Sequence, residues 1–209
     1  MKISEKDFLS LLNTLNFKNK TLVFDMDHTL LKEDISMLMM KEYGYFKEYN
    51  RLIKQSKTQE DIIKAYEFSV ECFSRYKKKD LVVVLKKILI KNLYRECLVK
   101  VVEKASKEKG KIIIVSASWN FFVQQVVLNF QKIFQYPIFQ YYGSTVKKNL
   151  SFEEKKHLLL KNNIIPYMVF GDSINDFPMM ELSEYAVFVK NPKKKYKKIS
   201  QKFKKIEKN

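Results

Sequence analysis

The chain is predicted to fold as an α/β protein, a parallel-sheet core interrupted by an inserted all-helical cap. Three observations carry this. Short apolar runs at residues 21–24, 112–115 and 167–170 give way to aspartate or serine. Amphipathic helical segments alternate with those runs, the order that builds a parallel sheet with right-handed crossovers. Between the first and second runs, residues 34–100 hold one glycine, Gly44, and no proline. Apolar residues recur there at helical spacing: Ile62, Ile63, Tyr66, Val70 and Phe73, then Leu81, Val84, Leu85, Ile88 and Leu89. This predicts about three or four helices.

Taken in order, residues 3–16 place Ile3, Phe8, Leu11, Leu12 and Leu15 at helical spacing, a first helix. Residues 21–24 read as a buried strand that stops at Asp25. After the helical block, residues 96–109 predict a helix with Gly110 as its stop. Residues 112–115 form a strand ending at Ser116, 119–130 a helix, and 137–142 another strand. Ser151 with Glu154 makes a capping-box pattern opening a helix to about Asn162. Residues 167–170 form a strand ending at Asp172, and 186–189 a last strand. The expected organisation is a split core over 1–33 and 97–209, a cap over 34–96, and a basic tail over 190–209.

With 209 residues, 46% of them hydrophobic, the chain can bury a sizeable core, and global disorder is not expected. No run approaches about 18 apolar residues, so no membrane span is expected. The N-terminal residues are polar and lysine-dotted, unlike a secretory signal. Cys72 and Cys97 lack metal-ligand spacing and read as reduced thiols in helices. A cytoplasmic location is the expectation.

The net charge of +17 is uneven. Residues 190–209 hold ten lysines and one glutamate, so +9 lies there and +8 in the rest. Only Tyr196 and Phe203 offer aromatic rings among them, too few for base-stacking platforms. A solvated tail or surface helix is expected, and nucleic acid is not an expected partner. The basic field favours a small anionic substrate.

The chemistry sits where strands end. In a parallel sheet those ends share one edge, where ligands gather. Asp25 and Asp27 are spaced i, i+2, and two carboxylates so close repel unless a cation or a proton intervenes. A second acidic cluster, Asp172 and Asp176, follows another apolar run. Mg²⁺ takes hard oxygen ligands, and a carboxylate can act as a phosphoryl-accepting nucleophile. Asp25 and Asp172 are the natural metal ligands and Asp27 the natural acid/base. Ser116 and a lysine would hold phosphate oxygens, completing what phosphoryl transfer needs.

Asp-Met-Asp-His-Thr at 25–29 resembles the first signature of the haloacid dehalogenase superfamily. Residues 112–118, I-I-I-V-S-A-S, resemble the second, and Gly-Asp-Ser-Ile-Asn-Asp at 171–176 the acidic fourth. The helical block between the first two, the Ser-Ala-Ser form and the Asn-Asp-x-Pro-Met ending are similar to the phosphoserine-phosphatase-like branch. The resemblance implies a Rossmann-like core and a Mg²⁺-dependent phosphomonoester phosphatase using an aspartyl-phosphate intermediate. It implies Asp25 as nucleophile and metal ligand, and Asp27 as acid/base lending its backbone carbonyl to the metal. Ser116 would bind phosphate, Asp172 the metal, and Asp176 would support it.

The third signature is a lysine near a helix start. Lys147, Lys148, Lys155 and Lys156 are available, and Lys155 is favoured by its place after Ser151 with Leu158 and Leu159 below it. Thr29 is expected to hydrogen-bond within its turn, and His28, where the family often has glycine, to point away and pack. Asp34 is either a substrate contact or a helix N-cap. Arg51, Arg75 and Arg95 are available to read a substrate carboxylate, and no pattern singles one out. A phosphotransferase of the same fold, or a basic nucleic-acid-binding protein, are the alternative functions.

Overall fold

The computed structural model describes residues 2–56, 58–90, 93–189 and 204–207. Strand β1 (Lys2–Ser4) leads into helix α1 (Glu5–Thr14), and β2 (Thr21–Phe24) follows. Four helices come next: α2 (Ile35–Glu42), α3 (Phe46–Gln55), α4 (Gln59–Ser74) and α5 (Lys78–Leu89). They form the inserted all-helical cap. The alternation resumes with α6 (Glu96–Lys107), β3 (Lys111–Trp119), α7 (Asn120–Phe134), β4 (Gln140–Ser144) and α8 (Glu153–Lys161). It ends with β5 (Met168–Gly171), the short α9 (Phe177–Met180), β6 (Tyr185–Val189) and β7 (Lys204–Glu207). All seven strands join one parallel sheet in the order β1-β7-β6-β5-β2-β3-β4.

The central strands are buried on both faces, which is why they read as unbroken apolar runs. Side chains alternate across them. Leu22 and Phe24 of β2 enter one apolar cluster with Phe8, Phe17 and Phe170, while Val23 enters the other with Ile113, Leu159 and Val169. The rings of Phe24 and Phe170 stack at 4.4 Å, and Phe8 meets Phe170 edge-on at 6.3 Å. The cap shares the first cluster through Met39, Tyr49, Phe73 and Leu81. Phe73 of α4 meets Phe122 of α7 at 4.9 Å. Cys72 and Cys97 are buried and form no disulfide.

The insert leaves and re-enters the core at one point. Lys32 N–H donates to Leu93 O (2.7 Å) and Arg95 N–H to Leu30 O (2.9 Å), around an antiparallel Leu31–Tyr94 bridge.

Several elements differ from the sequence reading. Residues 2–4 are strand, paired in parallel with β7, so the first helix starts at Glu5 rather than Ile3. That pairing spans almost the whole chain, and local periodicity carries no trace of it. For the same reason residues 204–207 are strand, not solvated tail or surface helix; they cover an edge that β6 would otherwise expose. The rest of the basic segment, 190–203 and 208–209, lies outside the described residues. Strand β4 starts at Gln140, three residues beyond Pro137. Helix α6 ends in a Schellman pattern: Lys109 takes the left-handed position (φ 60°) and Gly110 N–H donates to Ala105 O (2.8 Å). Gly110 is needed for close approach, since a Cβ there would lie 2.9 Å from Phe17 O. The Ser151–Glu154 capping box does not form. Ser151 Oγ donates to Asn149 Oδ1 instead, and α8 is entered through Phe152 at φ 49°. Among the described residues no helix is long and apolar enough to cross a membrane.

Phe170 sits at the centre of this packing. Phe170→Ala is expected to lower the unfolding free energy by about 3–5 kcal/mol, read from the urea midpoint.

Candidate active site

Alternation along β2 directs Asp25 to the same face as Val23, the side covered by α8 and α9. Asp25 N–H donates to Phe170 O (2.9 Å), extending the β2–β5 ladder by one bond. The chain then turns through Met26–Leu30, with His28 at φ 58°. This left-handed conformation suits glycine, and histidine tolerates it better than most side chains. His28 Nδ1 lies 3.3 Å from Lys32 O.

Arg95, almost fully buried, braces that turn. Its Nε donates to Thr29 O (3.0 Å) and its Nη2 to His28 O (2.9 Å). Arg95 is thus committed to backbone carbonyls, and Arg51 and Arg75 pair with Glu48 and Glu71 on exposed helix faces. None of the three arginines lines the cavity described below. The Thr29 hydroxyl, expected to hold the turn, makes no hydrogen bond among the described residues; the Thr29 carbonyl does that work through Arg95.

Lys155 is the lysine that reaches the acidic edge. It is 0% exposed, and its Nζ donates to Asp25 Oδ1 and to Asp176 Oδ1, both at 2.7 Å. Lys156 pairs with Glu181 and Lys148 with Glu154 at the surface. Helix α8 is set in place by Asn175, whose Oδ1 accepts the Phe152 N–H (2.6 Å). Asp176 Oδ2 accepts from the Asp172 N–H (3.0 Å), the Ser173 N–H (3.0 Å) and Ser173 Oγ (3.1 Å). Asp176 reaches these donors only because position 171 is glycine: a Cβ there would lie 2.5 Å from Asp176 Cβ. Asp25, Asp172 and Asp176 offer carboxylate oxygens within 4.8 Å of one another.

Asp27 faces the cap. Its Oδ1 accepts the Ile35 N–H (2.8 Å) at the start of α2, and its Oδ2 accepts from Ser118 Oγ (2.5 Å). Ser118 Oγ also meets Ser36 Oγ of α2 at 3.0 Å, and Ser116 Oγ accepts the Ser118 N–H (3.1 Å). Ser118 was not singled out from the sequence, although alternation along β3 puts it on the same side as Ser116. Asp34 caps α2, its Oδ1 accepting the Met37 N–H (2.8 Å).

A small cavity of about 50 Å³ lies between cap and sheet edge. Asp25, Asp27, Ser116 and Asp172 line it from the core, and Asp34, Ser36, Tyr49, Tyr66 and Ser69 from the cap. Lys155 and Asp176 stand behind that wall. The tyrosines and Ser69 carry no sequence signal beyond ordinary amphipathic spacing.

Electrostatics follow from crowding. Burial, then the Asp176 carboxylate, and lastly Asp172, push the Asp25 carboxyl up to about 7, against the pull of Lys155. Burial and then Asp34 hold Asp27 well above the usual carboxylate range, despite its Ile35 and Ser118 bonds. Burial alone would pull Lys155 down, but Asp176 and Asp25 outweigh it and keep the ammonium charged. So many carboxylates around one ammonium form a site that favours a further cation, and hard oxygen donors suit Mg²⁺.

Residues 22–181 match the family model of the haloacid dehalogenase-like hydrolases, and the chain belongs to that family. Its fold is shared with a protein of unknown function from Bordetella pertussis Tohama I (16% identity, TM-score 0.69, covering 91% of this chain and 99% of that one). It is also shared with a substrate-bound phosphoserine phosphatase (14% identity, TM-score 0.61, 84% and 88% covered). A third neighbour is a phosphoserine phosphohydrolase-like protein from Francisella tularensis subsp. tularensis SCHU S4 (16% identity, TM-score 0.57, 81% and 87% covered). Among curated proteins no sequence matches the chain.

The raised Asp25 has a stability consequence in metal-free protein. Between about pH 4 and 7 the folded chain holds a proton that the unfolded chain has lost, so stability falls as pH rises through that window. Asp25→Asn removes this term. The variant is expected to unfold at higher temperature than the parent at pH 8 in EDTA, with the difference shrinking towards pH 4.

Proposed function

We propose that the protein is a Mg²⁺-dependent phosphomonoester phosphatase acting on a small phosphorylated metabolite through an aspartyl-phosphate on Asp25. The observation that carries this reading is the Lys155 bridge, one buried ammonium holding Asp25 and Asp176 at an edge shared with Asp27, Ser116 and Asp172. In this reading residues 1–33 and 97–209 are the catalytic core, and 34–96 the cap that closes on it.

Asp25 and Asp172 would hold Mg²⁺, with the Asp27 backbone carbonyl. Asp176 would support them, because both of its oxygens are engaged by Lys155 and by backbone donors. The ion would supply charge neutralisation on the phosphate oxygens. Lys155 fixes the Asp25 carboxylate and adds positive charge beside the phosphate, which Ser116 Oγ contacts.

An Asp25 oxygen attacks phosphorus, the phosphorus–ester oxygen bond breaks, and the leaving alkoxide takes a proton from Asp27. The raised affinity of Asp27 for its proton supports that role, since a general acid must start protonated. Asp27, now a carboxylate, takes a proton from water. The hydroxide attacks phosphorus and the bond to Asp25 breaks, releasing inorganic phosphate. The cap excludes bulk water during the first step.

Phosphate release from an aryl phosphate and small natural phosphomonoesters tests the proposal, with Mg²⁺, with EDTA, and with Asp25→Asn. Mg²⁺-dependent release that falls at least about 10³-fold in the variant is expected. Retained turnover in Asp25→Asn would sink the nucleophile. Trapping of label on added alcohols in place of free phosphate would make the protein a phosphotransferase. Mg²⁺ is also expected to raise the thermal midpoint more at pH 8 than at pH 5, because it competes with the proton on Asp25.

A further inference from the structure

We propose that Ser118 is a positioning residue: with Ser36 of the cap, it aims the Asp27 carboxyl at the leaving-group oxygen. This rests on the phosphatase reading and deepens it by saying what holds the acid/base.

Ser118 lies in an irregular stretch of β3. The strand pairs with β4 at Val115–Tyr142 and again at Trp119–Ser144, so four residues of β3 advance against two of β4. Such bulges re-aim side chains and recur beside active sites. This one is held from β4. Ser144 Oγ donates to Ala117 O (2.7 Å), and Gly143 leaves room, since a Cβ there would lie 2.8 Å from Ser118 O. Within the bulge the buried Ser118 serves both ends of the proposed reaction. Its N–H donates to Ser116 Oγ (3.1 Å), a bond that uses a lone pair and spares the Ser116 proton for a phosphate oxygen. Its hydroxyl donates to Asp27 Oδ2 (2.5 Å).

Asp27 thus has two partners of different kinds. The Ile35 N–H, at the start of α2, donates to Oδ1 (2.8 Å) and can only donate. Ser118 Oγ can donate to a carboxylate oxygen and can accept from a protonated one. Ser36 Oγ, 3.0 Å from Ser118 Oγ, takes or supplies the hydrogen bond that such a reversal displaces. In the proposed cycle Oδ2 is therefore the oxygen that gives its proton to the leaving alkoxide and takes one back from water. Neither serine gains or loses a proton overall. A carboxyl group turns readily about its last bond. The two anchors, one on the sheet and one on the cap, stop that rotation where Asp27, Ser36 and Ser118 line the same cavity.

The experiment separates positioning from plain structural support. A general acid matters more as the leaving group becomes more basic. Mg²⁺-dependent kcat/KM is compared across 4-nitrophenyl, phenyl and 4-methoxyphenyl phosphate. Ser118→Ala is expected to lose at least about tenfold more on the 4-methoxyphenyl ester than on the 4-nitrophenyl ester. Ser118→Thr keeps the hydroxyl and should follow the parent. Ser36→Ala should shift the ester ratio in the same direction by a smaller factor. Inorganic phosphate, as a competitive inhibitor, should bind the parent and Ser118→Ala within about twofold of one another, because the N–H that holds Ser116 is retained. Equal losses on all three esters overturn the inference. So does a threonine variant as impaired as the alanine one, or phosphate binding weakened as much as kcat/KM. Those outcomes, with a parent that still releases phosphate, leave the phosphatase reading standing. If Ser118→Ala does not fold, Ser36→Ala decides, and an unmoved ester ratio there overturns the inference. No Mg²⁺-dependent release by the parent from any ester removes both readings.

Discussion

The structure depends on one buried ammonium. Lys155 has no exposed surface, and its two partners are carboxylates from strand ends that lie far apart in sequence. Burying a lysine is tolerable only when charge and hydrogen bonds are returned to it. Asp25 and Asp176 do so, and in doing so they fix the distance between β2, β5 and α8. The rest of the site is arranged to allow this triangle. Gly171 is bare so that Asp176 can close in, and Asn175 holds the strained entry to α8 at Phe152. Backbone N–H groups of Asp172 and Ser173 take the remaining Asp176 oxygen.

This arrangement leaves the site short of positive charge. One ammonium faces several carboxylates, and both Asp25 and Asp27 hold their protons more tightly than ordinary aspartates. Such a cluster is unfavourable for the fold by itself, a tension between stability and function that is common where chemistry is done. It is tolerated because the surrounding core is well packed, with stacked Phe24 and Phe170 directly beneath.

Much of the fold could be read from the sequence because the central strands are buried on both faces. Such strands are apolar without interruption and stop sharply at the charged edge, so β2 and the acidic residues that follow it stand out. The helical block stands out through its lack of glycine and proline. Lys155 could be preferred among four lysines because Leu158 and Leu159 mark the inner face of α8. Contacts between distant elements left no local trace. The β1–β7 pairing, the meeting of Ser36 with Ser118, and the tyrosines over the cavity all arise from docking of one element on another. Arg95 shows the limit from the other side: a buried arginine near a site looked available for substrate, and its donors were already bound to the turn.

The Leu31–Tyr94 bridge and the bonds beside it bring the two ends of the cap insert together. From the core's point of view the insert is therefore a closed loop hung from a single stem. The entropy of closing such a loop grows only slowly with its length. What is suspended from the stem can be lengthened, shortened or rebuilt at little cost to the sheet below. In the proposed reading, residues facing the leaving group would ride on a module that can be revised without disturbing the acidic edge of the sheet.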